Sequence, residues 1–364
     1  MPDDGPRIGE LFAGYAGLGM GVRAVLGGNI TWFSELDEAP SKVLAYRYPG
    51  VPNHGDITRI NWSAVEPVDI LTGGSPCQDL SQAGKRRGMT EGTRSNLWVA
   101  MREAIAELRP SLVVWENVRG AYSAAADSEM EQCPRCVGSP RDRGPVLRAL
   151  GRVLGDLSDL GYVGGWHGLR AADVGAPHGR FRVFVVAHPN GLRRGEGWSS
   201  APREARGASA DIAGRGMLPT PRATRGGSST ETVGLLLPTS RAREPGSTSD
   251  GHGYGLSLNE AVGCGNGRIQ DLGIYAAAIA RWEALTRPAP PPAQPSRRGT
   301  PQLSPAFSEW MMGLPEGHVT GVPGLSRGDM LKILGNGVVP QQAEAALRFL
   351  LAHDVESTTK GRLA

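Results

Sequence analysis

Residues 7–19 read Arg-Ile-Gly-Glu-Leu-Phe-Ala-Gly-Tyr-Ala-Gly-Leu-Gly, a short apolar run that leads into a glycine-rich turn. The run predicts a strand at Ile8–Phe12, and the apolar periodicity after the turn predicts a helix at Met20–Leu26. A strand, a glycine turn and a helix in this order are typical of Rossmann-like folds, in which the turn lets the backbone approach a nucleotide. By itself the turn does not name the ligand.

Beyond this stretch, short apolar runs alternate with helical patterns as far as about Pro189, which predicts an α/β fold built on a parallel sheet. Further strands are predicted at Thr31–Ser34, Asp69–Leu71, Ser111–Trp115 and Arg182–Ala187. Further helices are predicted at Ala39–Tyr48, Asn96–Leu108, Val146–Leu160, Leu272–Leu285 and from Gln341 to about His353.

Three reactive side chains follow the predicted strands. Glu35 ends the second strand, where a carboxylate can accept hydrogen bonds from ribose hydroxyls. Cys77 lies in Gly73-Gly74-Ser75-Pro76-Cys77-Gln78, and Glu116 lies in Trp115-Glu116-Asn117-Val118. A single cysteine in such a position is more often a buried apolar residue without a chemical role. A single glutamate there is more often a helix cap or an ion-pair partner. Together they predict a ligand site at the carboxyl edge of the sheet.

Five motifs in order carry a resemblance to one family. They are Phe12–Gly17, Pro76-Cys77-Gln78, Glu116-Asn117-Val118, Arg180-Phe181-Arg182 and Gly335-Asn336-Gly337-Val338-Val339-Pro340. In sequence and spacing they resemble the cytosine-5 DNA methyltransferases, and they span most of the chain. The resemblance implies a Rossmann-like S-adenosylmethionine-dependent methyltransferase sheet with a smaller, irregular target-recognition domain.

The resemblance also assigns residues. S-Adenosylmethionine is the implied cofactor, and its expected contacts are Phe12, Gly14, Gly17, Glu35, Asp56, Ile57, Pro76, Leu97, Asn336 and Val338. The expected catalytic residues are Cys77, Glu116, Asn117, Arg180 and Arg182. The thiolate of Cys77 adds to carbon 6 of a flipped-out cytosine, and protonated Glu116 neutralises charge at ring N3. Asn117 holds the loop, while both arginines lie beside the thiolate and lower its pKa.

The chain departs from the family pattern at three places. Ala16 stands where the second glycine of the turn is usual, and Leu36 follows Glu35 where a stacking residue such as tryptophan is common. His178-Gly179 precede Arg180 where glutamine and a basic residue are more usual. The first two departures predict weaker cofactor binding, whereas the retained arginines predict an intact catalytic site.

The segment Leu192–Thr300 differs in composition from the residues before it. It is rich in Gly, Ser, Pro and Arg and has 14 arginines against nine acidic residues. The guanidinium group of arginine can donate two hydrogen bonds at once to a phosphate or to guanine, so double-stranded DNA is the expected partner. A GC-rich genome would also favour arginine codons. The predicted domains are a catalytic and cofactor-binding domain at 1–190, target recognition at 191–324, a segment returning to the catalytic domain at 325–355, and a flexible tail at 356–364.

Composition and hydropathy limit which disulfides, metals and membrane segments are expected. Four cysteines are too few for a disulfide scaffold, and Cys133 and Cys136 offer two of the four ligands that zinc needs, so no metal is expected. The sequence shows neither a leader nor a membrane-spanning run, which predicts a protein of the bacterial cytoplasm without a membrane partner. We expect it to be a monomer. A cognate restriction endonuclease is the protein partner that the resemblance suggests.

Alternative functions remain open at this point. A nicotinamide dehydrogenase would use the glycine turn and Glu35 but leaves the Cys77 and Glu116 motifs unexplained. A DNA-binding protein that has lost catalysis is motivated by Ala16 and Leu36. A catalytically weak or RNA-directed member of the same family, such as a tRNA methyltransferase, would share the motifs. The DNA target sequence cannot be read from the chain.

Overall fold

The computed structural model describes residues 5–75, 97–122, 149–191, 236–237, 258 and 275–360 of the 364-residue chain. Within them, six strands form one sheet in the order β2-β1-β3-β4-β6-β5. The strands are β1 (Arg7–Leu11), β2 (Asn29–Ser34), β3 (Ile70–Gly73), β4 (Leu112–Val118), β5 (Tyr162–Arg170) and β6 (Phe181–Pro189). A separate hairpin pairs β7 (Ala293–Pro295) with β8 (Pro301–Leu303).

The sheet is mixed. Strands β1 to β4 pair in parallel, as expected, but β6 is antiparallel to both β4 and β5. The prediction of a parallel sheet is therefore confirmed for β1 to β4 and wrong for β6. The reason is the short connection from β5 to β6, which contains the one-turn helix Ala171–Val174. A parallel connection needs about a dozen residues or more, usually in a crossover helix, so this chain segment reverses direction.

Eight α-helices surround the sheet in the part of the chain that the structure describes. They are α1 (Gly17–Leu26), α2 (Glu38–Arg47), α3 (Leu97–Leu108), α4 (Ala149–Asp159), α5 (Ala276–Leu285), α6 (Pro305–Met311), α7 (Arg327–Asn336) and α8 (Pro340–Lys360). Helix α8 continues to Lys360, so residues 356–360, predicted to be a flexible tail, are helical. None of these helices combines the length and apolar character that a membrane span requires.

Both faces of the sheet are covered by apolar layers. Trp115 and Val185 pack with residues of α3 and α4 on one face, and Val114 and Phe184 pack with residues of α1 and α8 on the other. This two-sided burial explains why β4 is an almost continuous apolar run.

A third apolar cluster joins distant parts of the sequence. Tyr15 and Val43 pack in it with Trp310, Leu334 and Val339. The predicted recognition domain extends to residue 324, yet α6 lies in the same cluster as the turn after β1. Leu237 and Leu258 lie in the same cluster, so the cluster joins the predicted recognition domain to the catalytic domain at several points.

The order of the strands creates a crevice at one edge of the sheet. From β1 the chain passes to β2 on one side, whereas β3 lies on the other side of β1. Connections that leave in opposite directions open a gap at the carboxyl ends of the strands, and ligands bind there in doubly wound folds. Because β1 to β4 are parallel, the residues that follow all four strands meet at this edge.

Candidate active site

The turn after β1 has an unusual backbone. Phe12, Gly14 and Ala16 all have positive φ, at 53°, 57° and 67°. A β-carbon on Gly14 would meet no atom within 4 Å, whereas one on Gly17 would overlap the carbonyl oxygen of Val338. Gly14 therefore faces open space where a ligand can approach the backbone, and Gly17 permits close packing against the C-terminal segment.

Ala16 is buried and lies among apolar side chains, next to Leu18 and Val22 in the cluster under α1. Its methyl group consequently faces the protein interior. The weaker cofactor binding predicted from Ala16 therefore gains no steric explanation from this position. The cost of alanine here is backbone strain, because a left-handed conformation costs an L-residue roughly 1–2 kcal/mol.

Glu35, directly after β2, contacts the turn. Its carboxylate accepts hydrogen bonds from the backbone N–H groups of Gly14 at 2.8 Å and Asp37 at 2.9 Å. Burial raises the pKa of Glu35, and these two hydrogen bonds oppose that shift. The neighbouring Leu36 is 69% exposed. The structure thus brings together two predicted cofactor residues, with an apolar side chain open beside them.

Asp56 begins a short helical turn near the same edge. Its carboxylate accepts from the backbone N–H of Thr58 at 3.0 Å and from the Thr58 hydroxyl at 2.8 Å, and these bonds lower its pKa. The adjacent Ile57 is buried. Asp56 therefore has a structural role as a cap, in addition to the cofactor contact predicted for it.

Glu116 is the buried carboxyl group of the site, with 7% of its surface exposed. The Nε atom of Arg182 lies 2.6 Å from its Oε1 atom. Burial raises the pKa of Glu116, while the charges of Arg182 and Arg180 oppose that shift. A β-carbon on Gly74 would lie 2.7 Å from Oε2, so the carboxyl group packs directly against the chain that follows β3.

Asn117 and Trp115 both hydrogen-bond to Ser75, which lies two residues before Cys77. The Asn117 amide donates to the backbone carbonyl and the hydroxyl of Ser75, both at 3.2 Å, and the Trp115 indole N–H donates to the same hydroxyl at 3.0 Å. Pro76 and Cys77 lie outside the described residues, as do Cys133 and Cys136. The chain is thus anchored two residues before Cys77.

Arg180 connects β6 to the segment after α7. Its guanidinium donates to the carbonyl oxygens of Gly335 at 3.0 Å and Gly337 at 2.7 Å. The sequence predicts that Arg180 lies beside the thiolate together with Arg182, and this stays a prediction because Cys77 lies outside the described residues. In the structure, Arg182 is the arginine that contacts Glu116, and Arg180 holds the chain next to Val338.

His178 explains one departure from the family pattern. It is fully buried, and its Nε2–H donates to the carbonyl of Met311 at 3.0 Å while Nδ1 accepts from the Arg180 backbone N–H at 3.4 Å. Burial lowers the pKa of His178 to about 3, so the ring is neutral. The histidine ties the start of β6 to α6.

The remaining predicted residues are spread around the edge. Leu97 begins α3 and is half-buried, Asn336 ends α7 and is exposed, and the carbonyl of Val338 accepts from the Tyr15 hydroxyl at 2.7 Å. None of the sequence motifs points to Tyr15 or Asn53 as residues of this edge. No local signal marks Tyr15, whereas Asn53 stands two residues before Gly55, a spacing typical of an asparagine turn.

The chain resembles known methyltransferases. A family model described as C-5 cytosine-specific DNA methylase matches residues 7–351. The Type II methyltransferase M.NlaIV of Neisseria lactamica is 30% identical over 186 residues, which are 49% of this chain and 40% of that relative. A DNA N-6-adenine-methyltransferase of Escherichia phage P1 is 38% identical over 112 residues, 28% of this chain and 15% of that protein. The chain spans less than half the length of either relative.

Among solved structures, the Entamoeba histolytica methyltransferase EhMeth matches with a TM-score of 0.54 at 13% identity, over 95% of this chain and 98% of that one. At this identity the match shows the fold alone.

Proposed function

Because the chain belongs to the family of C-5 cytosine-specific DNA methylases, we propose that it methylates carbon 5 of cytosine in duplex DNA, with Cys77 as the nucleophile. The observation that carries the proposal is the buried Glu116, paired with Arg182 and packed against Gly74. The chain from Gly74 leads directly to Cys77. In the proposed reaction this carboxyl group and the thiolate of Cys77 act on the same ring.

The residues at the carboxyl edge fit S-adenosylmethionine. Glu35 can accept from ribose hydroxyls, the open space at Gly14 admits a nucleoside, and the exposed Leu36 can cover an adenine ring. Phe12, Gly17, Asp56, Ile57, Pro76, Leu97, Asn336 and Val338 complete the proposed contacts. When bound, the cofactor supplies a methyl group on a positively charged sulfur.

The proposed reaction starts with addition of the Cys77 thiolate to carbon 6 of the cytosine, which breaks the double bond between carbons 5 and 6. Glu116 in its protonated form donates a hydrogen bond to ring N3 as negative charge develops there, and its raised pKa favours that form. Carbon 5 then takes the methyl group. Loss of the carbon 5 proton to a base and departure of the thiolate restore the aromatic ring.

Roles for the neighbours follow from their contacts. Arg182 holds the Glu116 carboxyl group, and Asn117 holds Ser75 and thereby the chain before Cys77. Arg180 donates to the backbone carbonyls of Gly335 and Gly337 and so holds the chain next to Val338. These contacts support a site whose geometry is set before the substrate arrives.

Carbon 5 of cytosine is preferred over an adenine amino group on chemical grounds. An amino nitrogen can attack a methyl donor without a covalent enzyme adduct, so it needs no cysteine paired with a buried acid. The phage relative is named as an adenine methyltransferase, but it matches only a short part of this chain. Duplex DNA as substrate and a role beside a restriction endonuclease are part of the proposal.

The nucleophile can be tested by trapping. Wild-type protein incubated with cofactor and with duplex DNA containing 5-fluorocytosine should give a covalent adduct that resists denaturant, because fluorine cannot leave as a proton does. The Cys77→Ser variant should form no adduct and should not methylate, since a serine hydroxyl is scarcely ionised at neutral pH. Cys264→Ser is the control and should behave like wild type. A wild-type enzyme that methylates the unsubstituted duplex of the same sequence but forms no adduct with the 5-fluorocytosine duplex would refute the role of Cys77. An adduct on RNA alone would redirect the proposal to an RNA substrate.

A further inference from the structure

Asn53 makes four hydrogen bonds at the cofactor edge of the sheet. Its Oδ1 atom accepts from the backbone N–H groups of Glu35 at 2.9 Å and Gly55 at 3.2 Å. Its Nδ2 atom donates to the backbone carbonyl of Glu35 at 3.0 Å and to the hydroxyl of Ser41 at 3.0 Å. A carboxamide offers two donor hydrogens and one oxygen with two lone pairs, so this side chain is fully used.

These bonds join two separate parts of the proposed cofactor site. Glu35 follows β2 and contacts Gly14 through its carboxylate, whereas Gly55 directly precedes Asp56 and Ile57. Asn53 therefore bonds directly to both the residue assigned to the ribose and the residue before those assigned to the adenine, and the Ser34 hydroxyl adds one bond to the Gly55 carbonyl at 2.8 Å.

The backbone around Asn53 is held without its side chain. The Phe33 N–H donates to the carbonyl of Pro52 at 2.8 Å, and the His54 N–H donates to the carbonyl of Phe33 at 2.8 Å. Residues 52–54 thus lie along the end of β2 through main-chain bonds. Asn53 itself is exposed. Removing its carboxamide leaves the strand pairing and the apolar core in place.

We propose that Asn53 is a positioning residue that aligns Glu35 with Asp56 and Ile57 for binding of S-adenosylmethionine. The inference rests on the proposed function, because it presupposes that this edge binds that cofactor. Asn53 acts through Glu35 and Gly55 and need not touch the cofactor itself.

Three variants test the role. Asn53→Ala removes all four bonds, and we expect the dissociation constant for S-adenosylmethionine, measured by calorimetry on the protein without DNA, to rise about tenfold. Asn53→Asp keeps the oxygen that accepts from Glu35 and Gly55 but loses the donors, so its affinity should lie between wild type and Asn53→Ala. Asn61 makes the same type of local turn with Ser63, at 3.3 Å to the backbone and 2.8 Å to the hydroxyl. Asn61→Ala is the matched control and should bind the cofactor like wild type.

Steady-state kinetics separate positioning from general destabilisation. A positioning role predicts that Asn53→Ala raises KM for the cofactor about tenfold while kcat at saturating cofactor and KM for DNA stay close to wild type. Unchanged affinity and KM in Asn53→Ala, or an equal loss in Asn61→Ala, would overturn the inference. If the wild-type protein itself does not bind S-adenosylmethionine, the proposed function fails instead, and the two failures are distinguishable.

Discussion

Glu10 is a buried carboxyl group in the middle of a strand, where a charge is costly. It is 1% exposed, and one oxygen accepts from the Gly19 N–H at 3.1 Å. The other oxygen has no hydrogen-bond partner among the described residues. Burial raises the pKa of Glu10 from 4.5 to about 8, the Gly19 bond lowers it, and the charge of Glu35 raises it further. The fold therefore favours the protonated form.

This preference gives stability a definite dependence on pH. Between pH 4.5 and about 8 the folded protein keeps a proton on Glu10 that the unfolded chain has lost. Rising pH in this window therefore lowers the free energy of unfolding, by an amount on the order of a few kcal/mol.

The variant Glu10→Gln tests this. Glutamine resembles the neutral acid, so the variant should lose this pH dependence and be more stable than wild type above pH 8. Urea unfolding from pH 5 to 9 measures the difference, with Glu38→Gln at an exposed site as the control for charge removal. A difference between Glu10→Gln and wild type that is constant over this range would contradict the assignment.

At the scale of elements, Arg180 links β6 to the end of α7. Its planar guanidinium spans the carbonyls of Gly335 and Gly337, which a single ammonium group cannot do at once. We expect Arg180→Lys to lower the free energy of unfolding by about 2 kcal/mol, because a buried carbonyl loses its partner. Chemical denaturation measures this loss.

The control for Arg180→Lys is Arg348→Lys. Arg348 forms an ion pair with Glu344 on the surface of α8, at 2.9 Å, and such pairs contribute less than about 1 kcal/mol. Equal stability of Arg180→Lys and wild type would show that these bonds do not hold the segment.

The elements that the sequence predicted are those with a local signal. Strands β1 to β4 and helices α1 and α2 agree with their predicted positions to within a few residues. Strand β5 was missed because it contains Gly164, Gly165 and Gly168, and little of it is buried. Its pairing with β6 forms it, and such long-range contacts leave no periodic pattern in the chain.

In the site, too, the sequence predicts what has a local signal and misses what depends on long-range contacts. The motifs identified Glu35 and Glu116 because their residue types and positions after strands carry the information. The partners of Arg180 and Tyr15 lie more than 150 residues away in sequence. Only the fold reveals such contacts, so the sequence could name Arg180 but not its role as a connection to α7.

At the scale of the whole molecule, the core limits where a recognition segment can be exchanged. Tyr275 and Trp282 pack in the same apolar cluster as Trp310, and the Trp282 indole donates to the Trp310 carbonyl at 2.8 Å. An exchange that includes α5 would remove Trp282 from this cluster, whereas one confined to residues 192–274 keeps Trp282 and changes Leu237 and Leu258 among the described residues of the cluster.

We therefore expect that replacing residues 192–274 with the matching segment of a relative transfers the relative's target sequence and leaves cofactor affinity unchanged. Bisulfite sequencing of DNA from expressing cells reads the target, and calorimetry reads the affinity. Replacement of residues 192–300 is the comparison and should unfold at lower denaturant concentration. Methylation that stays at the original target after the shorter exchange would show that recognition lies elsewhere.

The bond from the Tyr15 hydroxyl to the Val338 carbonyl joins residues 323 positions apart. During translation, the glycine turn leaves the ribosome long before the segment that closes against it. A nascent chain can form β1 and α1 early, yet this side of the crevice stays open until residue 338 has emerged. The site proposed for the methyl donor is therefore closed on this side only in chains synthesised past residue 338.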